Sequence, residues 1–210
     1  MTRGLKLGAQ AVALLGVAGL LALLVWRLAN QHHAPKVGAH APAFALTNAI
    51  DGKQVTFKPD DGKLKVVVFT CNQCPYAKAF EQRLVDLGGA YAKKGVAFYA
   101  VDPNDESQYS IESLDNMRAR AKEHAYPYPY LKDGDSKVAA SYGARVTPHV
   151  FVVDGKGIVR YRGYVDDSAK PEVRAHTGLS DALDSLLTNS QPKVGATNAF
   201  GCSIKWKSKA

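Results

Sequence analysis

Seven residues from Leu64 to Thr70 (LKVVVFT) run straight into Cys71-Asn72-Gln73-Cys74-Pro75. The chain then switches to helical spacing, with Phe80, Leu84, Leu87 and Tyr91 on one face. A short, β-branched run of this kind suits a strand buried on both sides, which calls for helices on both faces of a sheet. The remaining pattern agrees. Phe44-Ala45-Leu46 and Val55-Thr56-Phe57 flank an Asp51-Gly52 turn, and Val96–Val101 reads as a second buried strand. Helical patterns cover Ser113–His124, Lys137–Tyr142 (stopped by Gly143) and Leu179–Leu187. The alternation of Tyr and Pro over 126–130 excludes helix and leads into a Tyr130-Leu131 strand. Pro148–Val153 and Ile158–Tyr164 form a hairpin about Asp154–Gly157. The expected class is α/β, a mixed central sheet with helices on both faces. Glu81, Asp86 and the Asp166-Asp167 pair read as solvated.

The net charge of +8 needs to be located before it is read. Arg3, Lys6, Arg27 and Lys36 lie in the first 36 residues and Lys193, Lys205, Lys207 and Lys209 in the last 21, with no acid in either stretch. Removing those eight from 27 basic residues leaves 37–189 with 19 of them against all 19 acids. A neutral body with basic ends argues against a nucleic-acid partner. Leu7–Trp26 (LGAQAVALLGVAGLLALLVW) carries one strongly polar residue, Gln10, and matches the roughly 20 residues that cross a bilayer. Its length and the lack of a small-x-small site favour an uncleaved anchor over a cleaved signal peptide. Trp26 sits at the interface and the slight N-terminal charge excess leaves the body outside the cytoplasm. The expected organisation is an anchor over 1–28, a linker over 29–43, a domain over 44–189 and a basic tail over 190–210 that contains Cys202.

The cysteine pair stands where a strand's carboxyl end meets a helix N-terminus, the position at which open α/β sheets form sites. The unpaired N–H groups and partial positive charge there favour a thiolate. Cys71, before the helix, is expected to be the more exposed sulfur, with Cys74 in the first turn within reach of a disulfide. Asn72 and Gln73 between them are neutral and bias the potential little. A zinc site needs two further ligands, and only a convergence of His149 and Cys202 could supply them. A purely structural bridge across so short a loop would stabilise little. Thr147-Pro148 precedes a strand, where an X–Pro bond is either cis or an ordinary trans proline. Cys202 is left over once the first two cysteines pair; a buried, non-catalytic thiol is the favoured reading over a resolving one.

The segments LKVVVFTCNQCPYAKAFEQRL, VAFYAVDPND and YGARVTPHVFVVDGKGIVRYRGYVDD, in that order and spacing, resemble the thioredoxin-like redoxin proteins, in particular the "CNxCPY" members of the AhpC/TSA group. The tail Gly201-Cys202-Ser203-Ile204-Lys205-Trp206 also looks like theirs, so the likeness spans about 38–206. The resemblance implies a thioredoxin fold behind the transmembrane helix, Cys71 as nucleophile and Cys74 as resolving cysteine. It implies a cis-Pro148 facing the pair, and Thr147 backbone free to pair with an incoming chain, with Phe69 and Thr70 completing the substrate contacts. Tethered relatives act as extracytoplasmic thiol–disulfide reductases, for example in cytochrome c maturation. The implied partners are a disulfide-bearing protein substrate and a membrane electron donor, on the periplasmic side of the inner membrane, with no cofactor and no metal.

Some departures keep rivals in view. Tethered reductases usually carry Trp before the first cysteine, where Phe69-Thr70 stand here. Peroxiredoxins place Thr three residues before their reactive cysteine, and Thr70 is four before Cys74. A thiol peroxidase would use Arg145, with Cys202 or Cys71 resolving. A copper- or haem-handling module would use Cys71, Cys74 and His149.

Overall fold

The protein is described as a computed structural model over residues 35–208. The anchor expected over 1–28 lies outside the described residues; among the described residues no helix is long and apolar enough to cross a membrane.

Among the described residues nine strands form in chain order: β1 Phe44–Asn48, β2 Gln54–Phe57, β3 Lys65–Phe69, β4 Ala97–Asp102, β5 Tyr130–Lys132, β6 Val146–Thr147, β7 His149–Val153, β8 Val159–Gly163 and β9 Cys202–Ser203. Seven of them make one sheet in the order β2-β1-β5-β4-β3-β7-β8, while β6 and β9 pair apart from it. β3, β4 and β5 run parallel; β7, β8, β1 and β2 join antiparallel. Among the described residues the helices are α1 Pro75–Ala92, α2 Leu114–Glu123, α3 Lys137–Tyr142 and α4 Gly178–Leu187. The helices and the seven strands of the main sheet match the sequence pattern to within a few residues; β6, β9 and two 3-10 turns, Ser110–Glu112 and Pro171–Val173, have no counterpart in it.

β3 is buried along its whole length because it lies in the sheet interior with helices on both sides. The pleat sends Val66 and Val68 to one face, where they meet Phe80 and Leu84 of α1, Met117 of α2 and Leu179 and Leu183 of α4. Val67 and Phe69 go to the other face, against Ala139 and Tyr142 of α3 and Phe151 of β7. α1 therefore hangs from the carboxyl end of the central strand.

Two acids expected in solvent are buried. Glu81 accepts hydrogen bonds from Nε and Nη2 of Arg120 (2.7 Å each) and from the Tyr126 hydroxyl (2.5 Å), which ties α1 to α2. Asp166 is buried against Arg83 at 2.5 Å, which ties α1 to the end of the hairpin. Sequence spacing cannot show this, since each partner lies far away along the chain. The packing also runs beyond 44–189. Gly38 N–H donates to the Val159 carbonyl and the Ala39 carbonyl accepts from Val159 N–H, while Ile204 near the other end is buried.

Gly88 and Gly89 sit side by side in α1 with opposite surroundings. A Cβ on Gly88 would lie 2.5–2.6 Å from ring atoms of Tyr128, which is itself braced on Phe98 and Tyr126; Gly89 faces open space. Gly89→Ala is expected to raise unfolding free energy by about 1 kcal/mol through helix propensity alone. Gly88→Ala is expected to lower it despite the same propensity gain. Urea denaturation of the two variants checks the pair; equal shifts would contradict the packing.

Candidate active site

β3 delivers the chain to the sheet edge at Phe69. That side chain is fully buried, with ring centroids 5.5 Å from Tyr142 and 5.8 Å from Phe151, so it supports the loop from below and does not meet a substrate as expected. Thr70 is buried as well, its N–H held by the Val101 carbonyl at 2.9 Å. Residues 71–73 then form an arc before the helix opens at Pro75.

A buried carboxylate holds that arc. Glu112, at the end of the 3-10 turn, is fully buried and accepts the backbone N–H of Asn72 (2.7 Å) and of Gln73 (3.2 Å), and the Asn104 amide (3.2 Å). Asn72 is pinned from below: its amide donates to the Ile111 carbonyl at 2.7 Å and its Oδ1 accepts the Tyr130 hydroxyl at 3.0 Å. Asn72 is thus the floor of the loop and not a neutral spacer. Lys132 Nζ donates to the carbonyls of Asn104 and Glu112, both at 2.7 Å, and lies 3.5 Å from Asp102. Burial pushes the Asp102 carboxyl well above the usual range, against the opposing pull of Lys132. No local signal marks Glu112 in the sequence; it reaches the loop from 40 residues away along the chain.

Three sulfurs and one threonine meet above this floor. Because the helix begins at Pro75, Cys74 is its N-cap, and Cys74 Sγ accepts the Ala77 N–H at 3.4 Å. Cys74 Sγ also lies 3.1 Å from the Thr147 carbonyl oxygen, to which its thiol proton donates in the neutral form. Cys71 Sγ lies 3.2 Å from Thr147 Oγ1. The Thr147–Pro148 peptide is cis. Cys202, half-buried, packs on the pair from β9.

This geometry separates the two thiols. Hydrogen bonding from Cys71 pulls the Cys74 thiol down to about 4, helped by Cys202 and the Ala77 N–H against the cost of burial. Four groups able to donate (Cys71, Cys202, Ala77 N–H and the Thr147 hydroxyl) outweigh the single Thr147 carbonyl that faces the anion. Cys71 moves the opposite way, raised by its contact with the Cys74 sulfur, by burial and by the nearby Glu112 carboxylate. Burial and the neighbouring Cys74 sulfur raise Cys202. Cys71, expected to be the more exposed sulfur, is 4% exposed against 2% for Cys74, so both are nearly sealed, and the direction of the two shifts favours the anion on Cys74 at the helix cap.

The accessory residues are spread out. Arg145 is exposed, and among the described residues no arginine or lysine hydrogen-bonds to Cys71 or Cys74. His149 lies across β7 with its ring 4.7 Å from that of Phe151; burial and the charges of Arg162 and Arg145 push its imidazole down to about 4, so it is neutral at pH 7. Among the described residues no group of three or more His, Cys, Asp or Glu side chains is placed to hold a metal ion. Cys202, expected as a buried thiol, is half-buried and joins the cluster.

A cysteine sulfur at a helix cap, a second cysteine beside it and a cis-proline facing both make a dithiol site on a mixed α/β sheet. Residues 37–162 match the AhpC/TSA family. The chain belongs to that family. Among AhpC/TSA and thioredoxin-like relatives, the thiol:disulfide interchange protein DsbE of Haemophilus influenzae is 31% identical over 149 residues, covering 70% of this chain and 76% of that protein. An uncharacterized conserved protein from Geobacillus kaustophilus, known from its crystal structure, is 40% identical and superposes with a TM-score of 0.78, over 83% of this chain and 94% of that one. The thioredoxin domain of a thiol-disulfide oxidoreductase from Bacteroides vulgatus shares the fold at 21% identity and a TM-score of 0.57, over 72% of this chain and 98% of that one. The expected thioredoxin-like architecture of the body is therefore observed.

Ultraviolet thiolate absorbance of the reduced protein is expected to show one sulfur titrating near pH 4, where the depressed Cys74 pKa lies. Its signal should vanish in Cys74→Ser and move to higher pH in Cys71→Ser, which removes the leading donor. A low-pH titration that survives Cys74→Ser would place the anion elsewhere. Glu112→Ala, which strands two loop N–H groups, is expected to cost about 3 kcal/mol of stability; an unchanged denaturation midpoint would show that the carboxylate does not hold the loop.

Proposed function

We propose that Cys74 and Cys71 are the working pair of a thiol–disulfide oxidoreductase, with Cys74 as the attacking sulfur. Oxidoreductase function of this class rests on the AhpC/TSA match, the DsbE relatives and the shared fold. The assignment of roles rests on one observation: the sulfur that caps α1, and so carries the thiolate, is that of Cys74.

The Cys74 thiolate attacks one sulfur of a substrate disulfide, and the other substrate sulfur leaves as a thiolate that takes a proton from solvent. Cys71 loses its proton and attacks Cys74 Sγ, and the second substrate sulfur departs. The substrate gains two electrons and the protein ends with a Cys71–Cys74 disulfide. Thr147 serves both steps, its hydroxyl beside Cys71 and its carbonyl beside Cys74. A dithiol donor must then reduce the pair again.

A thiolate stabilised to this degree favours the reduced form of the pair, which makes the disulfide the more oxidising. A peroxidase reading is less supported, since among the described residues no arginine hydrogen-bonds to Cys74 to bind and polarise a peroxide. The body works outside the cytoplasm, held to the inner membrane by the segment over 1–28; the long apolar run of 7–26 supports this. The substrate is a protein disulfide and the donor a membrane dithiol protein.

Insulin reduction tests the roles. Cys74→Ser should abolish turnover, while Cys71→Ser combined with Cys202→Ser should hold substrate as a mixed disulfide. A trap that forms in Cys74→Ser instead would make Cys71 the attacking sulfur. Equilibration with glutathione should give a potential less negative than the roughly −270 mV of thioredoxin; a value at or below that would contradict the electrostatic argument. Stopped-flow oxidation by hydrogen peroxide should be no faster than for a free thiol.

A further inference from the structure

The edge beside the cis-proline, expected to be open for a substrate strand, is already occupied. β9 pairs antiparallel with β6, so that Cys202 stands opposite Thr147 and Ser203 opposite Val146. The Ile204 N–H donates to the Arg145 carbonyl at 3.1 Å and extends the pairing by one residue. The strand comes from the chain's own C-terminal segment, 55 residues after Thr147 along the sequence.

The segment is fastened on both sides of its cysteine. Before it, Phe200 packs edge-on to Phe80 of α1 at 5.8 Å and to Tyr76 at 5.9 Å. After it, Ile204 is buried in the core cluster beneath α3. Lys205 N–H donates to Asn104 Oδ1 at 2.8 Å and the Lys205 carbonyl accepts from Asp105 N–H at 2.8 Å. Lys207 Nζ lies 2.9 Å from the Asp105 carboxylate. Gly201 comes so close to the Thr147 carbonyl that a Cβ there would run into it. Surface tails do not need such fitting. Its effect is to hold the Cys202 thiol against Cys74 at the place where a substrate strand would set its own sulfur.

We propose that strand β9 is an intramolecular substrate, and that Cys202 forms a reversible disulfide with Cys74 as an alternative to the one with Cys71. The inference rests on Cys74 being the attacking sulfur. In a mixed disulfide between Cys74 and a substrate, the Cys202 thiol loses its proton to solvent and its sulfur attacks Cys74 Sγ. The Cys74–substrate bond breaks, the Cys74–Cys202 bond forms, and the substrate leaves as a thiolate. Two electrons have passed from Cys74 and Cys202 to the substrate. Starting from an oxidised Cys71–Cys74 pair, attack by Cys202 on Cys74 Sγ moves the disulfide to 74–202 and releases Cys71 as a thiolate, with no net oxidation. A third thiol packed on the pair also explains why both of its members are almost sealed from solvent: the tail covers them, and an external strand reaches Thr147 only by displacing β9.

The test uses the full chain and the aromatic disulfide dithiobis(nitrobenzoate), whose reduction releases coloured thionitrobenzoate. Attack by Cys74 releases one equivalent and leaves one bound; closure by Cys202 releases the second and leaves the protein unlabelled. Cys71→Ser is therefore expected to release two equivalents and to end, by intact mass and peptide mapping, with a Cys74–Cys202 disulfide. Cys71→Ser with Cys202→Ser should release one and keep the adduct on Cys74. If Cys71→Ser instead keeps stable adducts on Cys74 or on both cysteines, the proposed bridge does not form and the inference falls, with the role of Cys74 intact. If the double variant shows no rapid release, the reading of Cys74 as attacking sulfur falls first. Wild-type protein oxidised with glutathione disulfide and mapped without any substitution supplies the same answer free of folding effects: a detectable 74–202 bridge supports the inference and its complete absence overturns it.

Discussion

The hydrogen bond between the Ala77 N–H and Cys74 Sγ fixes what the rest of the site can do. An N-cap side chain satisfies a backbone donor that the helix leaves unpaired, and here the cap is a sulfur in place of the usual oxygen. The same donor and the partial positive charge at the helix end stabilise a thiolate on that atom. That contact orders the first turn of α1 and adds to the hydrogen bonding from Cys71, the larger cause, that draws the Cys74 thiol down. Cys71, only three residues earlier, lies outside the helix and beside the Glu112 carboxylate, so it remains a thiol.

The polar layer below the pair makes that arrangement rigid. Glu112, Asn72, Asn104, Tyr130, Lys132 and Asp102 are all buried, and nearly every polar atom among them is satisfied by another member or by loop backbone. Such a network adds little net stability, because each group gives up water to enter it. Its contribution is positional: the loop between the cysteines cannot swing, because both of its central N–H groups are committed to one carboxylate. The exception is Asp102 Oδ2, which lacks a hydrogen-bond partner, and burial accordingly raises that carboxyl.

The fold was legible where one face or one turn determines an element. The five-residue core of β3, the apolar face of α1, the Gly143 stop of α3 and the Asp154–Gly157 hairpin follow from periodicity and turn chemistry, which act over a few residues. The contacts that spacing does not show share one physical cause. Glu81, Asp166, Glu112 and Cys202 are set by partners between 39 and 128 residues away, and an acidic or thiol side chain shows no local sign of the partner it will meet. The difference between the expected attacking sulfur, Cys71, and the proposed one, Cys74, has a subtler origin. Pro75 does announce the helix start, but which residue before it becomes the cap depends on how the loop is held, and Glu112 holds it.

The sequence by itself determined that a buried strand ends at a cysteine pair, that a helix follows at once, and that the chain belongs to a class built on a helix-covered mixed sheet. These are consequences of side-chain size, spacing and backbone preference within single segments. Only the tertiary structure decided which sulfur carries the charge, what braces the loop, and that the C-terminal strand lies along Thr147 with Cys202 against Cys74. Each of those depends on desolvation and hydrogen bonding between segments far apart in the chain, and such terms take their value only once the chain has closed around them.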